Sequence, residues 1–366
     1  MDQPVFDWNQ PYVISASARF RTTPAGALQV DGEGGDATVE VAREWVELFL
    51  AFARPQSAES VLASGGRRPA ADRGGFGERV QAWAARGLLR GAGSAVAAPA
   101  RLTLFAEAAE SYVSSGSRRF PLRSHFALQR PVVFYPGLET LEIHDRRRFP
   151  WVAALEGACE VIQREFAGLL GTGEGFATAH RAHTSAGEWA AAYLWAFGRK
   201  VDEETCARCP ETVRLLREIP GVAQFGTTLY SALAPHTQIA PHHGYSNAKL
   251  RCQLPLRVPG GCKLKVGDQE VEQQEGRCIV FDDSFLHSAW NDSGEARFVL
   301  VFDFFHPDLT GPEIVYLSSL ARRWELGKSF VEGTPKGERI GWLRAEGDRG
   351  RLDRERREDQ GGRDGA

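Results

Sequence analysis

The sequence predicts a mainly β protein with α+β character: a many-stranded sandwich or double-stranded β-helix preceded by a small domain of strands and helices. Three observations carry this expectation. The chain has 366 residues, above the usual size of one domain; residues alternate with period two between Thr227 and Phe305; helical spacings are confined to the segments before that. A hydrophobic content of 43% and an aromatic content of 10% suffice for a sizeable core. No run approaches the roughly 18 apolar residues that a membrane span needs.

Within residues 1–115, Tyr12 to Ile14, Arg19 to Arg21 and Ala27 to Val30 read as strands of a small meander separated by Ser, Pro and Gly turns. Thr38 then caps a helix in which Val41, Trp45, Leu48, Phe49 and Phe52 recur at helical spacing, closed by Arg54 and Pro55. A second short helix starts at Ser57. A third carries Phe76, Val80 and Trp83 before Gly87 stops it ahead of Leu88 and Leu89. Residues 92–100 and the stretch Ser117 to Arg119 have the composition of connectors, which places a linker at 116–130.

The second domain is expected over 131–325. It opens with a helix from Trp151 to Leu170, on which Val152, Leu155, Cys159, Ile162 and Phe166 share a face, and a shorter one from Glu211 to Ile219. Both are expected to pack outside a sheet. Leu250, Cys252, Leu254 and Leu256 then alternate with Lys249, Arg251 and Gln253, and Phe298, Leu300 and Phe302 with Arg297, Val299 and Val301. Turns at Pro259 to Gly261, Val266 to Asp268 and Asn291 to Gly294 separate these strands. Residues 345–366 are almost all charged or Gly, the composition of a disordered tail.

A net charge of −3, from 44 basic and 47 acidic residues, argues against a protein dominated by nucleic-acid contacts. The start, Met1 to Pro4, lacks the basic and apolar segments of a signal peptide, which leaves a cytoplasmic protein as the expectation. Six cysteines are too sparse for a disulfide scaffold, and Cys206 and Cys209 form a lone CxxC that reads as buried thiols rather than zinc ligands.

The chemistry gathers between Ser231 and Arg297. Period two points Arg251 and Gln253 to one face of their strand, opposite the apolar face, so the polar residues are expected to line a cavity. His242 precedes that strand, His287 ends another, and Arg297 begins the next. If Asn291 to Gly294 form a hairpin turn, Arg297 lies nearly opposite His287. Neutral imidazoles suit Fe(II), and a guanidinium fork in a dry barrel suits a dicarboxylate. Iron with 2-oxoglutarate fits both. His243 is a poor second ligand because adjacent strand residues face opposite ways.

Three segments resemble the aspartyl/asparaginyl β-hydroxylase family: Ser231 to Arg251, Phe281 to Asp292, and Arg297 to Leu309, with weaker similarity back to Pro131. The resemblance implies a jelly-roll, cupin-like oxygenase domain that uses Fe(II), 2-oxoglutarate and O2 to hydroxylate a substrate and releases succinate. It implies that His242 and His287 are the iron ligands and that, with Arg297, they form the catalytic set. Arg297 and Ser231 would hold the distal carboxylate of 2-oxoglutarate, and Arg251 would lie near the other. Gln253 replaces a histidine that also touches the cosubstrate in well-known members. Gly244 stands where many 2-oxoglutarate oxygenases place a carboxylate ligand, which this family characteristically lacks.

The small first domain resembles, by topology and a pattern from Phe20 to Leu89, winged-helix peptide-recognition domains of the PqqD type, which bind leader peptides of ribosomally made natural products. That resemblance implies a precursor peptide hydroxylated at Asp, Asn or a similar residue. A free or carrier-bound amino acid is the alternative substrate. A different class, a winged-helix DNA-binding regulator with a non-catalytic sensing barrel, would draw on Arg67, Arg68, Arg118 and Arg119.

Overall fold

The computed structural model describes residues 11–14, 19–22, 28–31, 38–42, 56–57, 73–85, 89–91, 100–117, 119–172, 175–179, 183–324, 340, 342–343 and 346. The chain divides into two compact units, Met1–Pro121 with Pro307–Trp324, and Leu122–His306 with Glu325–Ala366.

In the first unit β1 (Pro11–Ile14) pairs antiparallel with β5 (Gln56–Ser57) and β6 (Leu89–Gly91), while β2 (Arg19–Thr22), β3 (Leu28–Asp31) and β4 (Thr38–Val41) form a separate meander. Thr38 therefore begins a strand, not a helix. Val39 and Val41 are buried and Glu40 is exposed, so local alternation prevails over the longer helical spacing. The expected helical positions Trp45 to Phe52 lie outside the described residues, and Ser57 belongs to β5. Helix α1 (Arg73–Ala85) buries Phe76, Val80 and Trp83 along one face, as their spacing predicts.

Helix α2 (Ala100–Ser114) fills the interval between the two connector-like stretches, where no element is expected from the sequence, although Leu102, Phe105 and Ala109 carry a helical spacing and are buried. It packs on α7 (Gly311–Arg323), the segment the sequence reading gave to the second domain. Arg101 grips the buried Glu313 through Nε–Oε1 at 2.5 Å and Nη2–Oε2 at 2.9 Å. Glu313 also accepts from Thr310 N at 2.7 Å, closing the capping box of α7. Phe105 meets Tyr316 edge-on at 6.1 Å.

The second unit is built from two antiparallel sheets. The larger runs β11 (Arg199–Lys200), β10 (Trp189–Ala196), β12 (Thr227–Leu233), β19 (Arg297–Phe305), β14 (Lys249–Arg257), β17 (Ile279–Phe281), β7 (Ile143–His144), with β8 (Phe176–Thr178) also on β10. The smaller runs β16 (Gln269–Glu272), β15 (Cys262–Val266), β18 (His287–Asn291), β13 (Thr237–His242), β9 (Thr184–Ala186). Two facing antiparallel sheets with these crossovers make the expected jelly-roll, a double-stranded β-helix.

The predicted helix over 151–170 is two, α3 (Trp151–Gly157) and α4 (Cys159–Thr172); α5 (Glu203–Arg208) and α6 (Pro210–Arg217) follow. They cover the outer face of the large sheet, where Ile162 and Phe166 pack with Tyr230, Leu250, Leu254, Phe298 and Phe302. Phe166 lies 5.0 Å from Tyr230 and 5.1 Å from Phe298 between ring centroids. Burying rings of this size on both sides of one contact stabilises the large sheet as the rigid wall of the site. Cys206 and Cys209 are part of this core, and burial pushes their thiols up to about 12 and about 11.

Two further expectations are corrected. The linker at 116–130 is anchored in its second half: Gln129 is buried and donates to Asp282 Oδ2 and Ser284 Oγ, both at 2.9 Å. Strands β18 and β19 do not form a hairpin, because they belong to different sheets. The Asn291 side chain makes a corner between them, donating to Ala234 O at 3.0 Å and Glu295 O at 2.8 Å and accepting from Ser293 Oγ at 2.7 Å. His287 consequently pairs with His242 and Val266, and Arg297 with Leu233. Among the described residues no helix is long and apolar enough to cross a membrane.

Candidate active site

The inner face of the large sheet is where polar residues interrupt an otherwise apolar strand pattern. Along β14, Lys249, Arg251 and Gln253 face inward while Leu250, Cys252 and Leu254 join the outer core. Successive inward residues on a strand stand about 7 Å apart, so this one strand spans two chemically different groups.

The first group surrounds the imidazoles. His242 and His287 are direct cross-strand partners on β13 and β18, with ring centroids 4.2 Å apart. Nδ1 of His242 lies 2.8 Å from Ala240 O, and Nδ1 of His287 lies 3.0 Å from Phe285 O. A carbonyl only accepts, so each Nδ1 carries the proton and each Nε2 keeps its lone pair. Burial pulls His242 down to about 4, and burial together with His242 pulls His287 down to about 3, so both rings are neutral at physiological pH. Neutral imidazoles whose other nitrogen is tied to a carbonyl are well-prepared metal ligands.

Gly244 leaves no room for a side chain: a Cβ there would lie 2.3 Å from the Asp283 carboxylate. Among the described residues no third His, Cys, Asp or Glu joins the pair as a grouped metal site. Among the described residues the pair thus offers two imidazole nitrogens, a donor type that suits Fe(II). His243 directs its Nδ1 to Ser284 O at 3.1 Å. His183, for which no motif stood out in the sequence, stacks on His242 at 4.6 Å.

Beside the imidazoles, Arg251 is already neutralised. Its Nε and Nη2 meet the two oxygens of Asp303 at 2.7 and 2.9 Å, and its Nη1 lies 3.2 Å from Asp283. Lys249 reaches Asp283 at 2.7 Å and Asp303 at 3.2 Å. Two cations thus face two carboxylates. Burial alone would raise Asp283, but Lys249 and Arg251 hold it well below the usual carboxylate range. Burial also opposes the charge of Arg251, yet Asp303 and Asp283 push it above its ordinary value. Of these four, the sequence alone assigns a role only to Arg251. The same period-two argument reaches Lys249 on β14 and Asp303 on β19.

The second group centres on Arg297, which is 1% exposed. Its Nε donates to Gln273 Oε1 at 2.7 Å and its Nη2 to Gln253 Oε1 at 3.2 Å. No carboxylate pairs with it among the described residues, and burial pulls the guanidinium down to about 10. Ser231 lies on the same side of the paired strand β12, two residues from Leu233, the register partner of Arg297. Trp189 Nε1 donates to Ser231 Oγ at 3.1 Å, which leaves the hydroxyl proton to be donated elsewhere. The structure therefore groups His242, His287 and Arg251 around Asp283, and Arg297 with Gln253 and the unforeseen Gln273.

Residues 156–307, which hold both groups, match the family model described as Aspartyl/Asparaginyl beta-hydroxylase. The match lies within the barrel and covers less than half of the chain. Aspartate beta-hydroxylase domain-containing protein 2 of Xenopus tropicalis is 33% identical over 216 residues, covering 54% of this chain and 56% of that protein. The aspartyl/asparaginyl beta-hydroxylase of Homo sapiens is 36% identical over 127 residues, 34% of this chain and 17% of that one. An ornithine lipid ester-linked acyl 2-hydroxylase of Rhizobium tropici is 30% identical over 182 residues, 47% and 63% of the two chains. The chain spans about half the length of the first of these relatives. A solved Pseudomonas putida prolyl-4-hydroxylase aligns at 12% identity and a TM-score of 0.28, covering 42% of this chain and 98% of that one; the fold rests here on strand order alone.

Proposed function

We propose that this chain is an Fe(II)- and 2-oxoglutarate-dependent hydroxylase. The observation that carries the reading is a fully buried guanidinium, Arg297, with no carboxylate partner among the described residues, in the same barrel as two neutral, cross-strand imidazoles. A buried cation is costly unless an anion joins it, and a dicarboxylate cosubstrate supplies that anion. Nε2 of His242 and Nε2 of His287 hold the iron, Arg297 and the Ser231 hydroxyl bind the distal carboxylate, and Arg251 stands near the keto-acid end. When bound, iron and 2-oxoglutarate would supply, with O2, the oxidation that converts a substrate C–H to C–OH, one oxygen atom going to the product and the other to succinate as CO2 is released. The barrel's own part is to orient the cosubstrate from both ends and to keep water from the buried charges.

For the substrate we infer an Asp- or Asn-type residue, or a similar one, in a ribosomally made precursor peptide. Support comes from the family match of the barrel and from the first unit, whose β2-β3-β4 meander offers edge strands to which an extended peptide can add. The full chain, supplied with Fe(II), 2-oxoglutarate and O2, is to be tested against peptides, free amino acids and acyl substrates. Succinate release and a product heavier by one oxygen atom are the readouts. Turnover that depends on Fe(II) and is abolished in His287→Ala is expected. Fe(II)-independent turnover, or His287→Ala retaining most of it, would overturn the metal assignment.

A further inference from the structure

The two amides that hold Arg297 do so without touching its charge. Arginine is donor-only, so both contacts must be amide oxygens, and the Gln273 amide nitrogen is then the donor to Gln253 Oε1, 2.7 Å away. Gln253 Oε1 thus accepts from both neighbours, and the three side chains close into one ring of hydrogen bonds. Both glutamines are buried, at 8% and 6% exposure. Gln273 lies just beyond β16, and its backbone N–H donates to Cys262 O at 3.3 Å, tying it to β15 of the opposite sheet. Among the described residues the Gln253 amide nitrogen donates to none, and it remains a further donor beside the guanidinium.

We propose that Gln273 and Gln253 are positioning residues that aim Arg297 while leaving its charge unpaired, and so make the barrel select a 2-oxo acid that ends in a second carboxylate. This rests on the cosubstrate reading above. The contrast within one barrel is chemical: Arg251 is aimed by aspartates and loses its net charge, whereas Arg297 is aimed by amides and keeps it. Glutamate is close in shape to glutamine, so changing the amide to an acid keeps the contact to Arg297 and supplies the missing counter-charge. A cosubstrate carboxylate would then meet a neutralised site.

The test uses the full chain with Fe(II) under anaerobic conditions, with 2-oxoglutarate and 2-oxopentanoate, the same carbon chain without the distal carboxylate, as calorimetric probes. Wild type is expected to prefer 2-oxoglutarate by about 100-fold, the worth of one or two charge-assisted hydrogen bonds. Gln273→Glu should erase at least about tenfold of that preference by weakening 2-oxoglutarate and not 2-oxopentanoate. In turnover its KM for 2-oxoglutarate should rise much more than kcat falls. Gln273→Met, which removes the bonds but adds no charge, should lose less than Gln273→Glu; equal losses would reduce Gln273 to packing and overturn the proposal. Gln253→Glu repeats the charge test from the other strand should Gln273→Glu not fold. If wild type discriminates and the glutamate variants discriminate equally well, the amide clamp is wrong; if wild type itself shows no preference, the cosubstrate reading fails instead.

Discussion

Arg251 and Arg297 stand on neighbouring strands of one sheet, both inside the barrel, yet their surroundings are opposites. Arg251 shares two aspartates with Lys249, a group in which two cations balance the charge of two carboxylates. Arg297 is more deeply buried and has only amide oxygens. A folded protein tolerates a buried charge when partners or a ligand complete it. The lesson is that the residue whose charge is not balanced marks where a ligand belongs, while the balanced one holds the wall on which the imidazoles sit.

Substitution at the two positions should therefore fail in different ways. Arg297→Ala is expected to weaken 2-oxoglutarate binding by about 1000-fold, on the order of 4 kcal/mol, because the distal carboxylate would lose the countercharge proposed for it. Thermal stability should change little or rise, since an unpaired buried cation is removed. Calorimetric titration beside a melting curve checks both halves, and tight binding with a collapsed melting temperature would invert the comparison.

Arg251→Ala is expected to show the reverse pattern. It leaves Asp303 and Asp283 buried with only Lys249, which should destabilise the fold by about 3 to 4 kcal/mol. The preference for 2-oxoglutarate over 2-oxopentanoate should persist, because both acids share the keto-acid end. Chemical denaturation measures the first effect. A variant as stable as wild type would show that Lys249 alone satisfies the two carboxylates.

How far the sequence reveals this arrangement depends on whether a side chain sits in a periodic element. Arg251, Gln253 and Arg297 could be placed on inward faces because β14 and β19 alternate strictly, and the family resemblance supplied roles for them. Lys249 and Asp303 obey the same alternation and could have been found with it. Gln273 could not: it lies beyond the end of β16, where no period operates, and its partners are 20 and 24 positions away in the chain. The expected β18–β19 hairpin failed because Asn291 is held by the carbonyl of Ala234, a contact 57 residues distant that no turn propensity encodes. Thr38 failed for a local reason, since four alternating residues fit a strand and the next ten a helix equally well. The spacing in α2 was there to be seen beneath an Ala-rich composition that resembled its connector neighbours.

The smallest expected effect tests whether the balance around Asp283 extends to the residue before it. Asp282 is buried and accepts from Gln129 Nε2 and from the Ser284 backbone N–H, both at 2.9 Å. No cation pairs with it among the described residues. Burial is the largest influence and, although the Ser284 bonds oppose it, raises the carboxyl from 3.8 to about 7. Between pH 4 and 7 the folded state therefore binds more protons here than the unfolded state. By linkage this contribution to stability is complete below about pH 4 and is lost as pH rises through about 7. Allowing for relaxation and water entry, wild type should lose about 1 to 2 kcal/mol from this group between pH 5 and 8. Asp282→Asn keeps a carbonyl acceptor for Ser284 and cannot ionise, so its stability should fall less over the same range. Denaturation curves for both proteins at pH 5 and pH 8 decide the matter: parallel losses would mean that Asp282, like Asp283, is already ionised and charge-balanced, and the boundary between the balanced group and its surroundings would have to be moved outward by one residue.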